Sequence, residues 1–341
     1  MRDVLVTGGA GYIGSHVVLE LLEAGYRPVV LDNLCTGSRD LVPDGVPFVL
    51  ADVADSEAVQ NVLRDHGVKD VVHCAASLDV QESMANPLKY WKNNVTGSIG
   101  LMEACAAVGV ERLVFSSTAA AYGDSETMPV TEDLPTAPIS PYGTTKRAVE
   151  DLIADVCRAT GMKAIILRYF NVAGADPRGR AGASPDAEAS LIRAVCQAAL
   201  GIRDGIRIFG NDYDSTDGTA VRDYIHVCDL ANVHRVVLEG MQTEAAGTAR
   251  VVNCGYGKGV TVKEVVDTAL RISGVDFPVH DAPRRDGDIA IMVADTRVLR
   301  ERFRWSPKHE NLGGIIETTL QWERQLRDRR KSAQPDGLRV A

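Results

Sequence analysis

Short apolar runs, several of them rich in β-branched residues, recur along the first half of the chain. They are Val4-Leu5-Val6, Val29-Val30-Leu31, Phe48-Val49-Leu50, Val71-Val72-His73, Leu113-Val114-Phe115 and Ile165-Ile166-Leu167. Runs of this kind are typical of parallel strands that are covered on both faces. Amphipathic stretches at about 12–24, 55–66, 91–108 and 143–158 separate most of them. This alternation predicts an α/β fold with a doubly wound parallel sheet and crossover helices.

The regular alternation weakens from about residue 172 onward. Residues 173–186 are rich in Gly, Ala, Pro and Arg and predict a loop, and a helix is expected at 187–200. The remainder mixes short strands and helices, which suits a smaller C-terminal α+β lobe over the strand ends. We therefore predict a main domain over 1–171, to which later segments return, a substrate lobe mainly over 172–326, and a flexible tail over 327–341.

A glycine-rich turn, Thr7-Gly8-Gly9-Ala10-Gly11-Tyr12-Ile13-Gly14, joins the first predicted strand to the first predicted helix. Glycines allow positive φ angles and a close approach of the backbone to a pyrophosphate. The N-terminus of the following helix offers free N–H groups to an anion. A structural tight turn would explain the motif in isolation, but its place between a strand and a helix favours dinucleotide binding. The main domain is thus predicted to be an NAD-binding Rossmann fold.

Two aspartates end the next two predicted strands. Asp32 lies 18 residues after Gly14, where a carboxylate can bind the ribose hydroxyls of NAD and repel the 2′-phosphate of NADP. A solvated loop aspartate is the alternative, and the position favours the NAD role. Asp52 is placed for a contact with adenine, although an N-cap for the following helix is nearly as good an interpretation.

Tyr142 and Lys146 are four residues apart and would share one face of a helix. A free tyrosine titrates near ~10, and a nearby cation lowers that pKa, so the pair can serve as an acid/base in hydride transfer. Thr118, just past a predicted strand end, can hydrogen-bond the reacting hydroxyl. Alone, the pair would indicate a solvated helix face and Thr118 a strand-end cap. Their order along the chain with the glycine-rich turn favours one shared cleft.

Composition narrows the classes of function. The chain has 341 residues, 45% of them hydrophobic, and a formal net charge of −9. The negative charge argues against general binding to nucleic acid or membrane surfaces. Seven cysteines are spread singly, with no ligand spacing that suits a metal. Without a signal peptide or an apolar run long enough to span a bilayer, a cytoplasmic protein is expected.

Longer segments carry a more specific signal. They are VTGGAGYIGSH at 6–16, LDNLCTG at 31–37, PLKYWKNN at 87–94, SSTAAAYGD at 116–124, SPYGTTK at 140–146, LRYFNVAGA at 167–175, IFGNDYDSTDGTAVRDYIHVCDLA at 208–231 and APRRDGD at 282–288. Over roughly residues 1–325 the chain resembles the extended short-chain dehydrogenases/reductases, and most of all their UDP-galactose 4-epimerase branch. The resemblance implies an NAD-dependent isomerase that interconverts UDP-glucose and UDP-galactose through a 4-keto sugar.

The resemblance also implies roles for individual residues. Tyr142 would be the acid/base, Lys146 its tuner and Thr118 a second hydroxyl partner. The NAD site would comprise Gly8, Gly11, Tyr12, Ile13, Gly14, Asp32, Asn33, Leu34, Cys35, Thr36, Gly37, Asp52, Val53, Cys74, Ala75, Ala76, Leu78, Asn93, Thr118, Tyr142, Lys146 and Phe170. The UDP-sugar site would comprise Thr118, Tyr142, Asn171, Ser190, Leu191, Arg207, Phe209, Arg222, Arg285, Asp288 and Met292.

The chemistry supports several of these substrate contacts. The forked guanidinium groups of Arg222 and Arg285 suit a diphosphate, and the Phe209 ring suits uracil. Without the surrounding motifs, surface salt bridges and simple packing would be the better interpretations. Related dehydratases and decarboxylases use an acid after the Ser-Ser/Thr segment, whereas Thr118 is followed by Ala119-Ala120-Ala121. The absence of such an acid favours epimerisation over elimination or decarboxylation.

Four positions depart from the usual epimerase pattern. Leu78 replaces a lysine that contacts the cofactor, Ser190 stands where relatives often carry Asn or His, and Arg193 stands where Pro is common. Met292 occupies a position that resembles the family's gate on sugar size, although in isolation it would be a core residue.

Two alternatives to the leading interpretation therefore stay open: a related enzyme acting on a UDP-N-acetylhexosamine, UDP-pentose or UDP-uronic acid, and a non-catalytic NAD sensor. The helices at 91–108 and 143–158 resemble a pair that forms a homodimer in the family.

Overall fold

The computed structural model describes residues 2–185, 189–285 and 288–333. The strands are β1 (Asp3–Thr7), β2 (Arg27–Asp32), β3 (Phe48–Leu50), β4 (Asp70–His73), β5 (Arg112–Thr118), β6 (Lys163–Tyr169), β7 (Asn171–Ala173), β8 (Ile206–Phe209), β9 (Val221–His226), β10 (Ala249–Cys254), β11 (Gly259–Thr261), β12 (Val279–Ala282) and β13 (Ile291–Met292). The α-helices are α1 (Tyr12–Glu23), α2 (Ser56–Asp65), α3 (Val80–Ala85), α4 (Pro87–Tyr90), α5 (Gly97–Val108), α6 (Pro141–Thr160), α7 (Leu191–Ala199), α8 (Val227–Gly240), α9 (Val262–Ser273) and α10 (Leu312–Ala333).

The main sheet is parallel and has the strand order β10-β6-β5-β4-β1-β2-β3. All six predicted strands lie in it, and the predicted doubly wound α/β fold is confirmed. The order reverses beside β1, whose neighbours are β2 and β4. In sheets of this kind ligands bind at the carboxyl ends of the strands where the order reverses, so the glycine-rich turn after β1 lies at the expected crevice.

The core is divided by the main sheet because side chains alternate along each strand. Val4 and Val6 of β1 belong to the hydrophobic cluster that includes residues of α1 and α8. Leu5 belongs to the cluster on the other face, with residues of α2, α5 and α6. Successive apolar residues of β1 are therefore buried on both faces, as its continuous apolar run predicts. The edge strand β3 differs, because its residue Leu50 is 66% exposed.

Two helices differ from the sequence prediction: one has a π-helical first turn, and the other begins later in the chain. The stretch 91–108 is a π-helical turn, Trp91–Thr96, followed by α5. Such a turn re-aims side chains, and here Asn94 points inward, where its side-chain amide contacts Ser77 and Thr145. The helix expected at 187–200 begins at Leu191, and residues 186–188 lie outside the described part of the chain.

Residues 327–333, which the sequence assigns to a flexible tail, continue α10. Arg and Lys favour helix, and this end of α10 also has tertiary contacts. The guanidinium of Arg329 lies 5.6 Å from the centroid of the Trp322 ring, and Arg330 Nη2 donates to the carbonyl of Pro185 at 3.2 Å. Residues 334–341 lie outside the described ranges. Of the helices described, none combines the length and the apolar character that a membrane span needs.

The second half of the chain adds two small sheets to the main one. In one sheet β9 pairs with β11, β13 and β7. In the other, β8 and β12 run parallel. Because β7 follows β6 after one residue, the first small sheet is held at the carboxyl edge of the main sheet. β10, in contrast, returns to the main sheet and pairs with β6.

Candidate active site

The glycine-rich turn has the geometry that a pyrophosphate requires. Gly8 has φ +70°, and a Cβ there would lie 2.6 Å from the amide nitrogen of Ala75. A side chain at Gly14 would collide with the carbonyl group of Gly8. α1 starts at Tyr12 without a side-chain cap and without an acidic residue in its first turn. Its N-terminal N–H groups therefore suit an anion, and the turn fits the diphosphate of NAD.

Asp32 is a structural part of the crevice as well as a candidate ribose ligand. It is 7% exposed, and its two oxygens accept hydrogen bonds from the amides of Ala10 at 3.0 Å and Leu34 at 2.8 Å. These bonds connect the end of β2 to the glycine-rich turn and set the start of the loop 33–37. The alternative of a solvated loop aspartate is wrong, because solvent hardly reaches the carboxylate.

Asp52 lies beside the same loop at the end of β3. Its Oδ2 accepts a 2.8 Å hydrogen bond from Asn33 Nδ2, and its Oδ1 accepts one from the amide of Ala54 at 2.9 Å. The N-cap of α2 is instead Asp55, whose side chain accepts from the amide of Ala58. The N-cap interpretation of Asp52 is therefore wrong. The exposed carboxylate and its asparagine partner face the solvent side of the crevice.

The segment after β4 carries Cys74, Ala75, Ala76 and Leu78. Leu78 is 72% exposed, so its side chain makes little contact with the rest of the protein. Sequence reasoning missed Asn94, which holds this segment: its side chain accepts from the amide of Ser77 at 2.8 Å and donates to the Ser77 carbonyl at 3.0 Å. The predicted Asn93 is half-buried and donates to Asn94 Oδ1.

Tyr142, Lys146 and Thr118 are brought together where α6 begins beside the end of β5. Ser140 caps α6 by accepting a hydrogen bond from the amide of Gly143 at 3.1 Å. This cap places Tyr142 in the first turn and Lys146 one turn later. The Thr118 hydroxyl lies near enough to the Tyr142 phenol to lower its pKa. It also accepts from the amide of Ala120 at 3.1 Å, so Thr118 is a strand-end cap, as its alternative interpretation states.

Burial is the largest influence on the pKa values of Tyr142 and Lys146. It raises the pKa of Tyr142 to about 12, against a lowering effect of the Thr118 hydroxyl. Burial also lowers the pKa of Lys146 to about 8, and Cys74 and Glu150 oppose that change. The net lowering of the Tyr142 pKa that the sequence predicts is therefore not found in the protein alone, because desolvation of the phenolate outweighs the contacts that favour it.

The Lys146 ammonium has a defined place. Its Nζ donates a 2.8 Å hydrogen bond to the carbonyl oxygen of Ser116 and lies 4.9 Å from the centroid of the Phe115 ring. Sequence reasoning missed this partner of Lys146, because a backbone carbonyl carries no signal in the sequence. The Ser116 hydroxyl is in turn bonded to the Tyr169 hydroxyl at 2.7 Å.

Three predicted substrate residues lie on the small sheet around β9. Asn171 begins β7, Arg222 lies in β9, and Met292 in β13 is the register partner of Arg222. Arg222 Nη1 donates to the carbonyls of Val221 at 2.9 Å and Ala290 at 3.3 Å. No acidic side chain of the described ranges forms a salt bridge with it. Met292 is 6% exposed and packs in a cluster with Phe170, as the core interpretation states.

The other predicted substrate residues lie on β8, after β12 and at the start of α7. The Arg285 guanidinium carbon lies 3.7 Å from the centroid of the Phe209 ring, and the amide of Asp288 donates to the Arg285 carbonyl. Arg207 is exposed two residues before Phe209 on β8. Ser190 and Leu191 begin α7, and Ser190 makes no side-chain cap.

Arg193, where Pro is common, has a structural explanation. Its side chain is buried in α7, and Nε donates to Glu323 Oε1 of α10 at 2.5 Å. Gln197, one turn later, donates to the other oxygen of Glu323 at 2.9 Å. The departure at Arg193 thus anchors α7 on α10.

Comparisons with known proteins agree with this geometry. The sequence profile of the NAD dependent epimerase/dehydratase family matches residues 4–255. The chain is 48% identical over 323 residues to the UDP-glucose 4-epimerase of Azospirillum brasilense, with 95% of this chain and 92% of that protein covered. It is 41% identical to UDP-arabinose 4-epimerase 1 of Arabidopsis thaliana, covering 96% of this chain and 81% of that one.

A solved structure has the same fold over nearly the whole chain. The UDP-glucose 4-epimerase of Stenotrophomonas maltophila, crystallised with NAD and formylated UDP-arabinopyranose, superposes with a TM-score of 0.92 at 36% identity. The superposition covers 96% of this chain and 100% of that one. The resemblance drawn from the sequence segments is thereby confirmed.

Proposed function

The chain belongs to the NAD-dependent epimerase/dehydratase family, and we propose that it interconverts UDP-glucose and UDP-galactose at C4 of the sugar. It is an isomerase with NAD as its cofactor, so the alternative of a non-catalytic sensor is set aside. One observation carries the proposal. The Tyr142 phenol, the Thr118 hydroxyl and the Lys146 ammonium meet at the carboxyl ends of the strands, on the same edge of the main sheet as the glycine-rich turn.

In this proposal the residues divide proton transfer and substrate anchoring between them. Tyr142 takes the proton of the sugar 4-hydroxyl and later returns it to the oxygen at C4, while Thr118 hydrogen-bonds that oxygen. Lys146 stabilises the phenolate by its charge. NAD held by the glycine-rich turn and Asp32 would supply a reversible acceptor for the hydride of C4. Arg222 and Arg285 hold the diphosphate, so that the sugar can turn and present its other face.

The residues after Thr118 support epimerisation over elimination. Ala119–Ala121 form a 3-10 turn, and both end residues are buried. A dehydratase needs a further acid to protonate the leaving hydroxyl, and this turn supplies none. One acid/base and one reversible hydride carrier are sufficient for epimerisation at C4.

A second substrate class is favoured by a specific observation. Met292, beside Arg222 in register, is a flexible side chain at the wall of the proposed sugar pocket. The similarity to a plant UDP-arabinose 4-epimerase supports UDP-pentoses as an alternative substrate class.

A panel of UDP-sugars tests the proposal. The purified protein is incubated separately with UDP-glucose, UDP-galactose, UDP-N-acetylglucosamine, UDP-xylose and UDP-glucuronate, and the products are separated by chromatography. We expect interconversion of UDP-glucose and UDP-galactose, and about one NAD per chain in a denatured extract. Failure to convert UDP-galactose would refute the proposal, and conversion of UDP-xylose alone would favour the pentose alternative.

We also propose that the protein is a homodimer in the cytoplasm. Leu88, Trp91 and Ile99 are apolar side chains with 79%, 41% and 40% exposure, and they lie on α4, the π-turn and α5, next to α6. Exposed apolar residues grouped in this way indicate a contact with another chain. Light scattering at micromolar concentration should give the dimer mass, and Ile99→Glu should shift the mass toward the monomer. A monomeric wild-type protein would contradict the dimer.

A further inference from the structure

A buried ion pair lies one helical turn beyond Lys146, and the proposed reaction does not use it. Glu150 of α6 accepts two hydrogen bonds from Arg168 of β6, Nε to Oε1 at 3.0 Å and Nη2 to Oε2 at 2.6 Å. The side chains of Arg168 and Glu150 are 4% and 3% exposed. The desolvation cost of such a pair often equals its attraction. Stability alone is therefore a weak explanation for its presence.

The pair is attached to the strand that carries Thr118. The Ser117 hydroxyl donates to Glu150 Oε1, and the carbonyl of the preceding Ser116 accepts from Lys146 Nζ at 2.8 Å. Two consecutive residues of β5 are thus bonded to two side chains that are one turn apart on α6. This double attachment sets where the end of β5 lies relative to α6.

Arg168 extends the attachment to the residues after Thr118. Its guanidinium carbon lies 4.6 Å from the centroid of the Tyr122 ring. The Tyr122 hydroxyl donates to Asn253 Oδ1 at 2.7 Å, and Asn253 lies in β10. The ion pair therefore lies between α6, β5 and β6, beneath the place where the phenol of Tyr142 meets Thr118.

We propose that Glu150 and Arg168 are positioning residues for proton transfer. Together they hold the end of β5 against α6, so that the Lys146 ammonium and the Thr118 hydroxyl keep their places beside Tyr142. The inference rests on the acid/base role proposed for Tyr142. Neither residue of the pair is placed to touch a reactant, and the effect is transmitted through Ser116 and Ser117.

Glu150 also contributes to the electrostatic surroundings of Lys146. The groups of the described chain that face the ammonium are Cys74 and His73 at the end of β4, the Phe115 ring and Glu150. Glu150 opposes the lowering of the Lys146 pKa by burial. A Glu150→Gln change removes that negative charge and leaves the Arg168 cation, and both effects lower the pKa of Lys146 further. The ammonium would then be lost at a lower pH.

The test compares Glu150→Gln with a matched control in the NAD-loaded protein. The control is Asp70→Asn: Asp70 pairs with Arg112 through two hydrogen bonds at the other end of β5, one of them 2.6 Å long, with 2% and 7% exposure. Each variant leaves one buried arginine without its carboxylate, so both should lose stability. We expect Glu150→Gln alone to lower kcat by about tenfold or more with little change in KM. Its alkaline limb in the pH profile of kcat should move down by roughly half a unit or more.

Equal kcat losses and unshifted pH profiles in both variants would overturn the proposal and leave the pair a purely structural one. If Glu150→Gln does not fold, Ser117→Ala tests the proposal in its place, because it removes only the hydrogen bond from β5 to Glu150. It should lower kcat a few-fold at constant KM, and an unchanged kcat would count against the proposal.

A readout without substrate separates this proposal from the proposed function. The titration of the Lys146 side chain is followed by NMR, as the signal that is missing from the matching Lys146→Met protein. Glu150→Gln should lower the pH at which Lys146 loses its proton, because Glu150 opposes the lowering of that pKa by burial, and Asp70→Asn should leave that pH unchanged. An inactive wild type would refute the epimerase function, whereas an unmoved Lys146 titration would refute only the positioning role.

Discussion

The hydroxyl of Tyr12 donates a 2.6 Å hydrogen bond to the carbonyl oxygen of Gly174. Tyr12 belongs to the glycine-rich turn, and Gly174 follows β7, the strand that begins with Asn171. Gly174 has φ +93°, and a Cβ there would lie 2.7 Å from the ring of His226, so glycine is required at this position. The bond therefore joins the proposed cofactor turn to the strand of a proposed substrate residue.

Tyr12→Phe removes this bond and keeps the ring. We expect the free energy of unfolding to fall by ~1 kcal/mol and KM for UDP-galactose to rise a few-fold, because β7 loses one of its attachments. NAD content should stay unchanged, since the turn binds through its backbone. Urea denaturation and steady-state kinetics measure both effects. Tyr26→Phe, which removes a 3.2 Å bond to Glu239, is the control, and an equal change in KM there would argue against a specific link.

Tyr142→Phe should abolish turnover while the protein keeps its NAD. Removal of the general acid/base lowers kcat by roughly 10²–10⁴-fold, and the remaining ring still packs against Tyr90, whose ring centroid is 6.4 Å away. Tyr90→Phe is the matched control, because its hydroxyl is bonded to Glu82 at 2.9 Å and takes no part in the chemistry. The measurement is kcat together with NAD in a denatured extract. Near-normal turnover of Tyr142→Phe would exclude the assignment.

Lys146 should make the NAD-free protein less stable at neutral pH than at high pH. Its pKa falls from 10.5 in the unfolded chain to about 8 in the folded protein, so the unfolded state binds the proton more tightly. The resulting cost is fully present below pH 8 and is relieved as pH rises toward 10.5. Lys146→Met should therefore raise the free energy of unfolding at pH 7, lose that advantage near pH 10, and lose activity at both.

Urea denaturation at the two pH values measures this difference. Lys69→Met is the control, because Lys69 is exposed and its Nζ also donates to backbone carbonyls, those of Val108 and Gly109, at 3.0 Å each. Its effect on stability should be similar at both pH values. A Lys146→Met protein that is less stable than wild type at pH 7 would show that the hydrogen bond to Ser116 outweighs the cost of burial.

The main sheet was largely predictable because its first six strands carry a local signal. A continuous apolar run, such as Val4-Leu5-Val6, indicates that both faces of the strand are buried. Burial on both faces is typical of a central parallel strand. β10 reads Ala-Arg-Val-Val-Asn-Cys, with polar residues on either side of two valines. Its place beside β6 depends on pairing across more than 80 positions (Ala164 with Ala249), which no local pattern records.

Some residues of the candidate site were likewise predictable from local sequence patterns, and others were not. Tyr142 and Lys146 were predictable because helical spacing brings i and i+4 together. Glu150 follows Lys146 by another four residues, so the same spacing could have indicated it. Asn94 and the carbonyl of Ser116 act only through contacts between elements far apart in the chain, and local patterns do not record such contacts. Composition and periodicity therefore predict the helices and strands. The contacts that complete the candidate site depend on the packing of β5 against α6, which they do not predict.

Met292 should control which sugars are accepted. It is 6% exposed, it pairs in register with Arg222, and it packs against the cluster that contains Phe170. Met292→Ala should cost ~2–5 kcal/mol of stability, as for other buried methionines, and open space beside the sugar. We expect kcat/KM for UDP-N-acetylgalactosamine relative to UDP-galactose to rise by about tenfold, and Met292→Tyr should lower the ratio.

Met162→Ala is the matched control for this prediction. Met162 is 2% exposed and belongs to the cluster on the other face of the main sheet, so its truncation should cost similar stability. The ratio of kcat/KM values should stay constant, because no proposed substrate residue borders that cluster. Chromatography of both product pairs at equal enzyme concentration measures the ratio. A ratio that moves equally in both variants would mean that general loosening changes sugar choice, and a ratio that moves in neither would remove Met292 from the pocket wall.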